Sequence, residues 1–323
     1  MAFADIKGHD IQVRALINSI NADRQASAYI FVGPSGIGKK SIALNFAKFI
    51  NCSNQDALDE PCEQCLICKQ INTMRHPDIF LVSPDSSNTI KIEDIRQIIK
   101  RGFLRAYEAK YKVFIIDEAE TMTTEAANAL LKTLEESSRG TVFILVTSLE
   151  KKLPATVISR CRRIKFNALS LTALKEILIS DYHLDEKKAH FISFVSEGRV
   201  SESLRLKDAD ILKKKNEKID DFINSRVSFK DRDDARYRLN LFLGWLRDLL
   251  LLKIDRDGYL SGKDNTGLIN IDRLNDLSGS RNKYKVSELE DAIDFISEAM
   301  FYLDSNVNVK LLNNLTKVKL CKN

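Results

Sequence analysis

The sequence predicts a parallel α/β domain followed by all-helical segments, and three observations carry that prediction. Short apolar runs at 28–32, 79–82, 113–116, 142–146 and 164–166 alternate with helical or loop-like sequence. Two of them, Phe114-Ile115-Ile116 and Phe143-Ile144-Leu145-Val146, are continuously apolar, as strands covered on both faces must be. The first run stops at Gly33-Pro34-Ser35-Gly36-Ile37-Gly38-Lys39-Lys40-Ser41, a glycine loop that opens a helix. After Phe166 the strand-like runs cease and apolar residues take helical spacing. A parallel five-stranded sheet with helices between its strands, and a helical remainder, is the expected architecture.

Each element follows in order. A helix is expected over 5–22, with Ile11, Val13, Leu16, Ile17 and Ile20 on one face, and another over 41–50, where Ile42, Ala43, Phe46, Ala47 and Phe49 recur. Beyond the sheet, Leu169, Leu171, Leu174, Ile177 and Leu178 have helical period, and helices at 185–196 and 201–206 are separated by Gly198. From about Asp208 the charged run Lys213-Lys214-Lys215-Asn216-Glu217-Lys218 reads as a solvated helix face. Longer helices are expected at 237–254 and 286–303. The stretch 255–283 contains Gly258, Gly262, Gly267 and Gly279 and reads as an irregular connection.

At 323 residues the chain exceeds one small core, and a prior of roughly 100–200 residues per domain gives two or three. No apolar run approaches the ~20 residues of a membrane-spanning helix. The start, Met1-Ala2-Phe3-Ala4-Asp5-Ile6-Lys7, lacks a basic stretch followed by an apolar block, so a cytoplasmic location is expected. Net charge is +5, from 50 basic and 45 acidic side chains, which permits contact with a polyanion without arguing for it.

The glycine loop departs from its pattern at one position. In Gly-x-x-x-x-Gly-Lys-Ser/Thr the final hydroxyl holds the magnesium ion of a nucleoside triphosphate; here that place is Lys40. Amides of Gly36, Ile37 and Gly38 can still surround a phosphate and Lys39 can still reach it. Ser41 comes one residue late, because a helical step of about 100° turns its hydroxyl away. Weak or absent ATP hydrolysis by the isolated chain is therefore expected, with ATP and magnesium binding left open. Asp117 and Glu118 end the apolar run 113–116, where α/β folds hold ligands. Asp117 could orient a hydrated magnesium ion and Glu118 could polarise a water; alternatively they are a solvated strand end. Thr147 and Ser148 end the next run and would present a hydroxyl to the γ-phosphate, or simply close the strand. Arg160 is either a surface arginine or a guanidinium offered to a neighbouring subunit.

Of six cysteines, Cys52, Cys62, Cys65 and Cys68 cluster. Their two overlapping Cys-x-x-Cys pairs suit tetrahedral zinc better than disulfides in a reducing compartment. A nucleic-acid-binding knuckle is the competing reading, opposed by the adjacent Asp56, Asp59, Glu60 and Glu63, which would repel a phosphate backbone. Cys161 and Cys321 stand apart and read as packing residues.

Glu125-Ala126-Ala127-Asn128-Ala129-Leu130-Leu131-Lys132-Thr133-Leu134-Glu135-Glu136, after Asp117-Glu118 and before Ser159-Arg160-Cys161, closely resembles the clamp-loader branch of the AAA+ ATPases. The resemblance implies an α/β P-loop AAA+ domain over 1–166 with a zinc module near 52–68. A small helical lid over 167–207 and an all-α collar over 208–323 would follow. Weaker collar matches are Trp245-Leu246-Arg247-Asp248-Leu249-Leu250 and Asn306-Val307-Asn308-Val309-Lys310-Leu311-Leu312. By the same resemblance Arg160 would be an arginine finger acting in trans, and the four cysteines would bind structural zinc. Gly33, Gly36, Gly38, Lys39, Lys40 and Ser41 would form the nucleotide loop, Asp117 and Glu118 its acidic partner, and Thr147 or Ser148 the γ-phosphate sensor. Ser201 and Glu202 stand where active relatives carry a phosphate-sensing arginine, for which Arg199 or Arg205 could substitute.

The implied function is that of a largely non-hydrolysing subunit of the replicative clamp loader in the DNA polymerase III holoenzyme. Implied partners are ATPase motor subunits and a delta-like subunit in a hetero-oligomeric ring, with the sliding clamp and primed DNA reached through the complex and no membrane. Polymerase chemistry is not encoded here. An ATP-hydrolysing motor of the same complex is the alternative; Lys40, the absent lid arginine and the lack of a long extension after Leu303 favour the first reading. A zinc-dependent nucleic-acid-binding protein with a relic P-loop is a third, and a net charge of +5 gives it no marked basic face.

Overall fold

The computed structural model describes residues 3, 6–21, 26–54, 60–102, 105–136, 140–254, 267–304 and 308–320. The chain divides into two compact units, one of Met1–Ile177 with Ser196–Leu204, the other of Leu178–Val195 with Arg205–Asn323. The first unit runs α1 (Asp10–Asn21), β1 (Ala28–Val32), α2 (Lys39–Asn51), α3 (Leu66–Asn72), β2 (Ile79–Val82), α4 (Ile92–Gly102), β3 (Lys112–Ile116), α5 (Thr124–Glu135), β4 (Thr141–Thr147), α6 (Ala155–Ile158) and β5 (Arg162–Lys165). Its strands form one parallel sheet in the order β2-β3-β4-β1-β5. The helix expected over 5–22 starts later, at Asp10; Asp5 and Ala22 lie outside the described residues.

Successive strand residues feed opposite faces of the sheet, as the pleat requires. Tyr29, Phe31, Val113, Ile115, Val142, Ile144 and Val146 pack on one side with Phe46 and Ala47 of α2 and Leu16 of α1. Ala28, Ile30, Phe114, Ile116, Phe143 and Leu145 pack on the other with Ile95 of α4 and Leu130 of α5. Burial on both faces is why β1, residues 113–116 of β3 and residues 142–146 of β4 form unbroken apolar runs. The edge strand β5 differs: it covers Arg162–Lys165, largely exposed, and not the apolar run 164–166. A one-sided edge strand needs no continuous apolar run, so hydrophobicity alone placed its start two residues late and its end one residue late.

Asp78, fully buried before β2, receives the backbone N–H groups of Tyr107 (2.9 Å), Glu108 (2.8 Å) and Ala109 (3.0 Å). Burial alone would raise its pKa, but these donors and Lys112 outweigh it and hold the carboxyl below its ordinary value. The linked stability is complete above the unfolded carboxylate pKa of about 4 and is lost as pH falls through the lower folded value. Asp78→Asn is expected to cost roughly 2–3 kcal/mol at neutral pH, the worth of charge-assisted bonds, and to flatten acid destabilisation. Urea unfolding at pH 7 and pH 3 checks this; an equal loss at both would remove the carboxylate's charge from the explanation.

The remaining helices are α7 (Leu171–Ser180), α8 (Glu186–Val195), α9 (Val200–Leu206), α10 (Ile211–Ile223), α11 (Arg232–Ile254), α12 (Leu274–Ser280), α13 (Val286–Asp304) and α14 (Val309–Leu320). In the second unit α11 packs chiefly against α13 and α10. Two expectations are corrected there. Lys215 is not on a solvated face: with Ile211, Ile219 and Phe222 it lies on the inward side of α10, paired with Asp272 and 4.7 Å from the Phe191 ring centroid. Part of the supposed irregular connection is helical, since α12 begins at Leu274 and carries Gly279 in its last turn. Just before it, buried Asp248 accepts the backbone N–H of Ile269 (3.0 Å) and of Asn270 (2.8 Å), organising the segment that a glycine count had read as loose. Gly258 and Gly262 lie outside the described residues.

Candidate functional site

The carboxyl ends of β3, β4 and β1 are neighbours, so the segments that follow them share one edge of the sheet. Gly33, the first residue after β1, donates its N–H to the carbonyl of Thr147 at the end of β4 (3.2 Å). A Cβ at Gly33 would lie 2.3 Å from the carbonyl oxygen of Phe166, so only glycine fits that approach. Gly38 has φ +94° and caps α2 from the left-handed region, where glycine carries no steric penalty. A glycine loop leading into a helix N-terminus in this way is an arrangement that receives anions.

Two lysines open α2, and they do different things. Lys39 is buried and its ammonium donates to the carbonyls of Gly33 (2.6 Å) and Pro34 (2.5 Å). Burial pushes its pKa down, opposed by the carboxylates of Glu120 and Asp117. Lys40 reaches across the edge instead, with Nζ 3.1 Å from Oδ2 of Asp117. Asp117 itself is fixed by its backbone N–H, which donates to the carbonyl of Val82 (2.8 Å). In a magnesium-dependent loop, the hydroxyl at position 40 and the strand-end carboxylate share the metal. An ammonium at one position, already touching the carboxylate at the other, puts a cation where the metal would stand. These residues do not fit magnesium.

Glu118 follows in the left-handed region at φ 50° and is exposed, its N–H turned back to Oδ1 of Asp117 (3.1 Å). The better-placed second carboxylate is one that sequence reasoning missed. Glu120 accepts from the N–H (3.0 Å) and hydroxyl (2.5 Å) of Ser148, and the nearby Thr147 side chain helps to lower its pKa. Burial alone would raise its pKa, yet these bonds hold it low, keeping a carboxylate within the field of Lys39. Only its place two residues after an Asp-Glu pair could have signalled this. Thr147 is buried, and its hydroxyl also accepts the N–H of Leu149 (3.1 Å).

On the other side of the loop the N–H of Ser201, in the first turn of α9, donates to the carbonyl of Gly36 (3.0 Å). Arg199 is turned elsewhere, its Nε donating to the carbonyl of Ser196 (3.1 Å) and its guanidinium 3.3 Å from Glu197. The phosphate loop, Asp117, Thr147 and the start of α9 are thus gathered at one sheet edge. Arg160 is held separately. It follows the short α6, donates Nη1 to the carbonyl of Thr156 (2.8 Å) and grips Glu135 at the end of α5 through Nε and Nη2. Cys161 packs with the apolar residues of that side of the sheet, and burial pushes its thiol up to about 12. Cys321 lies outside the described residues.

The Sγ atoms of Cys52, Cys62, Cys65 and Cys68 all lie within 4.8 Å of one another, forming a group able to hold a metal ion. A tetrahedral zinc with Zn–S of about 2.3 Å sets its sulfurs roughly 3.8 Å apart, so the cluster is close to that size. Backbone N–H groups already point at the sulfurs: Cys62 to Cys52 (3.4 Å), Cys65 to Cys62 (3.3 Å) and Cys68 to Cys65 (3.4 Å). Burial works against the Cys65 thiolate, yet these and neighbouring bonds bring its pKa down to about 6. Buried Lys48 of α2 pairs with Glu63 and donates to Asn72 (3.0 Å), tying both sides of the cysteine loop to the sheet domain. Glu63 is therefore committed to Lys48, and Glu60 accepts the N–H of Phe3 (2.9 Å). Asp56 and Asp59 lie outside the described residues.

Residues 8–170 match the family model described as DNA polymerase III, delta subunit. The chain is 31% identical over 312 residues to the DNA polymerase III subunit delta' of Bacillus subtilis, covering 92% of each chain. It is also 35% identical over 215 residues to the DNA polymerase III subunit tau of the same organism, covering 65% of this chain but 38% of that relative's length. Among solved structures, a DNA polymerase III gamma subunit-related protein from Thermotoga maritima aligns over 95% of this chain and 97% of its own. Its identity is 17% and its TM-score 0.46. Among the described residues no helix is long and apolar enough to cross a membrane. Matched by that family model over residues 8–170 and 31% identical to a delta' subunit across 92% of both chains, the chain belongs to the DNA polymerase III delta subunit family.

Proposed function

We propose that the chain is a delta-prime-like, largely non-hydrolysing subunit of a replicative clamp loader, acting in the cytoplasm. It assembles with ATPase motor subunits and a delta-like subunit into a hetero-oligomeric ring and offers Arg160 to a neighbour's ATP site. The clamp and primed DNA are reached through that ring. Its working parts are an AAA+ domain over 1–166, a lid over 167–207 and a collar over 208–323, with structural zinc held by Cys52, Cys62, Cys65 and Cys68. The observation that carries this reading is the contrast between two arginine and lysine positions. Lys40 is drawn to Asp117, which disfavours metal-dependent hydrolysis at the chain's own loop, whereas Arg160 sits on an exposed turn in a pair with half-exposed Glu135.

Adding the purified chain to cognate motor and delta-like subunits is expected to raise DNA- and clamp-stimulated ATP turnover by at least tenfold, a fraction of what a trans-acting arginine supplies. The chain alone is expected to show no turnover above background. Turnover by the chain alone at the rate of a motor subunit would point to the alternative reading, in which the chain hydrolyses ATP itself.

A further inference from the structure

Beside α1 the first unit holds a cavity of about 400 Å³, within the ~300–1,000 Å³ of ligand pockets, whose lining includes neither the phosphate loop nor Arg160. Residues 10, 13, 14, 17 and 18 of α1 recur every three or four positions, so they form one strip of the helix. Val13 and Ile17 give that strip a buried apolar floor. Phe3, also buried and with its ring 6.1 Å from that of Phe49, extends the apolar lining. Asp10, Arg14 and Asn18 are the exposed polar members, and Glu60 joins the lining from the cysteine loop, two residues before Cys62.

We propose that this cavity receives an arginine side chain presented by a segment of a partner protein, and that holding Glu60 in its wall is a task of the cysteine loop beyond stability. Two carboxylates line it against one guanidinium, so its charge selects a cation. The apolar floor suits the stem of a long cationic side chain whose head stays at a polar rim. Glu60 is already oriented, because its Oε2 accepts the N–H of Phe3 (2.9 Å) and leaves Oε1 for a second donor. A guanidinium offers a rigid fork of donors, which serves carboxylates better than a point-like ammonium. Arg14 and Asn18 decide between a protein segment and a free polyamine. Among the described residues their side chains have no hydrogen-bond or ion-pair partner, and both can donate. A peptide brings backbone carbonyls to accept from them, whereas a protonated polyamine brings only more donors.

The test is a ligand-observed NMR titration of the purified full chain with the capped tripeptide acetyl-Leu-Arg-Leu-amide. The same peptide with norleucine for arginine keeps the stem without the charge, and spermidine keeps charge without the peptide. Saturable binding of the arginine peptide, about tenfold or more tighter than either control, is expected. Glu60→Gln keeps an oxygen for the Phe3 N–H and removes only the charge. It is expected to weaken the arginine peptide about tenfold, the worth of one charge-assisted contact, and to leave the norleucine peptide unchanged. Asp10→Asn repeats that comparison without touching the Phe3 contact, should the first variant fold poorly. Equal affinity for the two peptides, no saturable binding, or full affinity in both variants overturns the proposal. Spermidine binding as tightly as the arginine peptide overturns the choice of a protein segment. Removing zinc with a chelator is expected to weaken the arginine peptide at least as much as Glu60→Gln does, and unchanged affinity after complete release overturns the task given to the cysteine loop. That last arm rests on the zinc reading, whereas the charge variants do not.

Discussion

Under the role proposed for it, Arg160→Ala is expected to abolish hydrolysis at the neighbouring ATP site that this arginine would serve in an assembled ring, while the ring itself still forms. A guanidinium in trans is worth on the order of 10³–10⁵ in rate because it neutralises charge that develops only in the transition state. The complex keeps its other sites, so total turnover falls by at least the share of that site, and single-turnover traces acquire a slow phase. Arg160→Lys is expected to behave like alanine, since an ammonium lacks the planar two-pronged donor. The contact with Glu135 would leave such an arginine ready and not locked. Its side chain is 32% exposed and that of Glu135 48% exposed, and ion pairs at such surfaces are worth only about 0–1 kcal/mol. A neighbour's triphosphate would displace so weak a pair. Glu135→Gln is therefore expected to leave stimulated turnover within about twofold, consistent with a surface pair of that strength. Unchanged hydrolysis with Arg160→Ala, in a ring of normal composition, would make Arg160 a structural arginine that merely ties α6 to α5.

Most of the sheet was legible because its inner strands are buried on both faces, and double burial writes itself into sequence as unbroken runs such as 143–146. What resisted reading were places where tertiary packing overrides local chemistry. Lys215 belongs to a lysine-rich run, yet its stem continues the apolar stripe of α10 and its charge is met by Asp272 from far along the chain. No window of sequence around position 215 holds that partner. The same holds for β5, whose strand character comes from its register beside β1 and not from its side chains.

The site divides along the same line. Residue types that chemistry restricts, the glycines at 33, 36 and 38 and the four clustered cysteines, could be picked out because few alternatives perform their tasks. Relations between distant residues could not. That Lys40 replaces a hydroxyl is visible in the sequence; that it pairs with Asp117 is visible only in the fold. Glu120 shows the converse case. It looked like one more acid after a strand, and its bonds to Ser148 exist because β3 and β4 are adjacent and in register.

Removing zinc is expected to cost the sheet domain most of the order in its cysteine loop and a substantial part of its thermal stability. Purified without added metal, the chain should carry about one zinc, the stoichiometry of a four-cysteine site. A ligand present at 1,000 times its Kd stabilises the state that binds it by about 4 kcal/mol. For a domain of this size that corresponds to a fall in Tm of roughly 8–16 °C on chelation. The change should be felt beyond the loop, because Cys52 directly follows α2 and Cys68 is a fully buried part of α3. Between them, Glu63 is gripped by Lys48, whose own side chain is 2% exposed. When the loop loosens, that ammonium is left in the interior with a less well-placed counter-charge, an expensive arrangement. Cys65→Ser is expected to reproduce most of the effect and to release zinc to a chromophoric chelator far faster than the parent chain. Lys48→Met leaves all four sulfurs in place, so it should retain zinc while losing stability. If elemental analysis finds no metal, or chelation leaves Tm unchanged, the cluster is a packing feature and its closely spaced thiols have another origin.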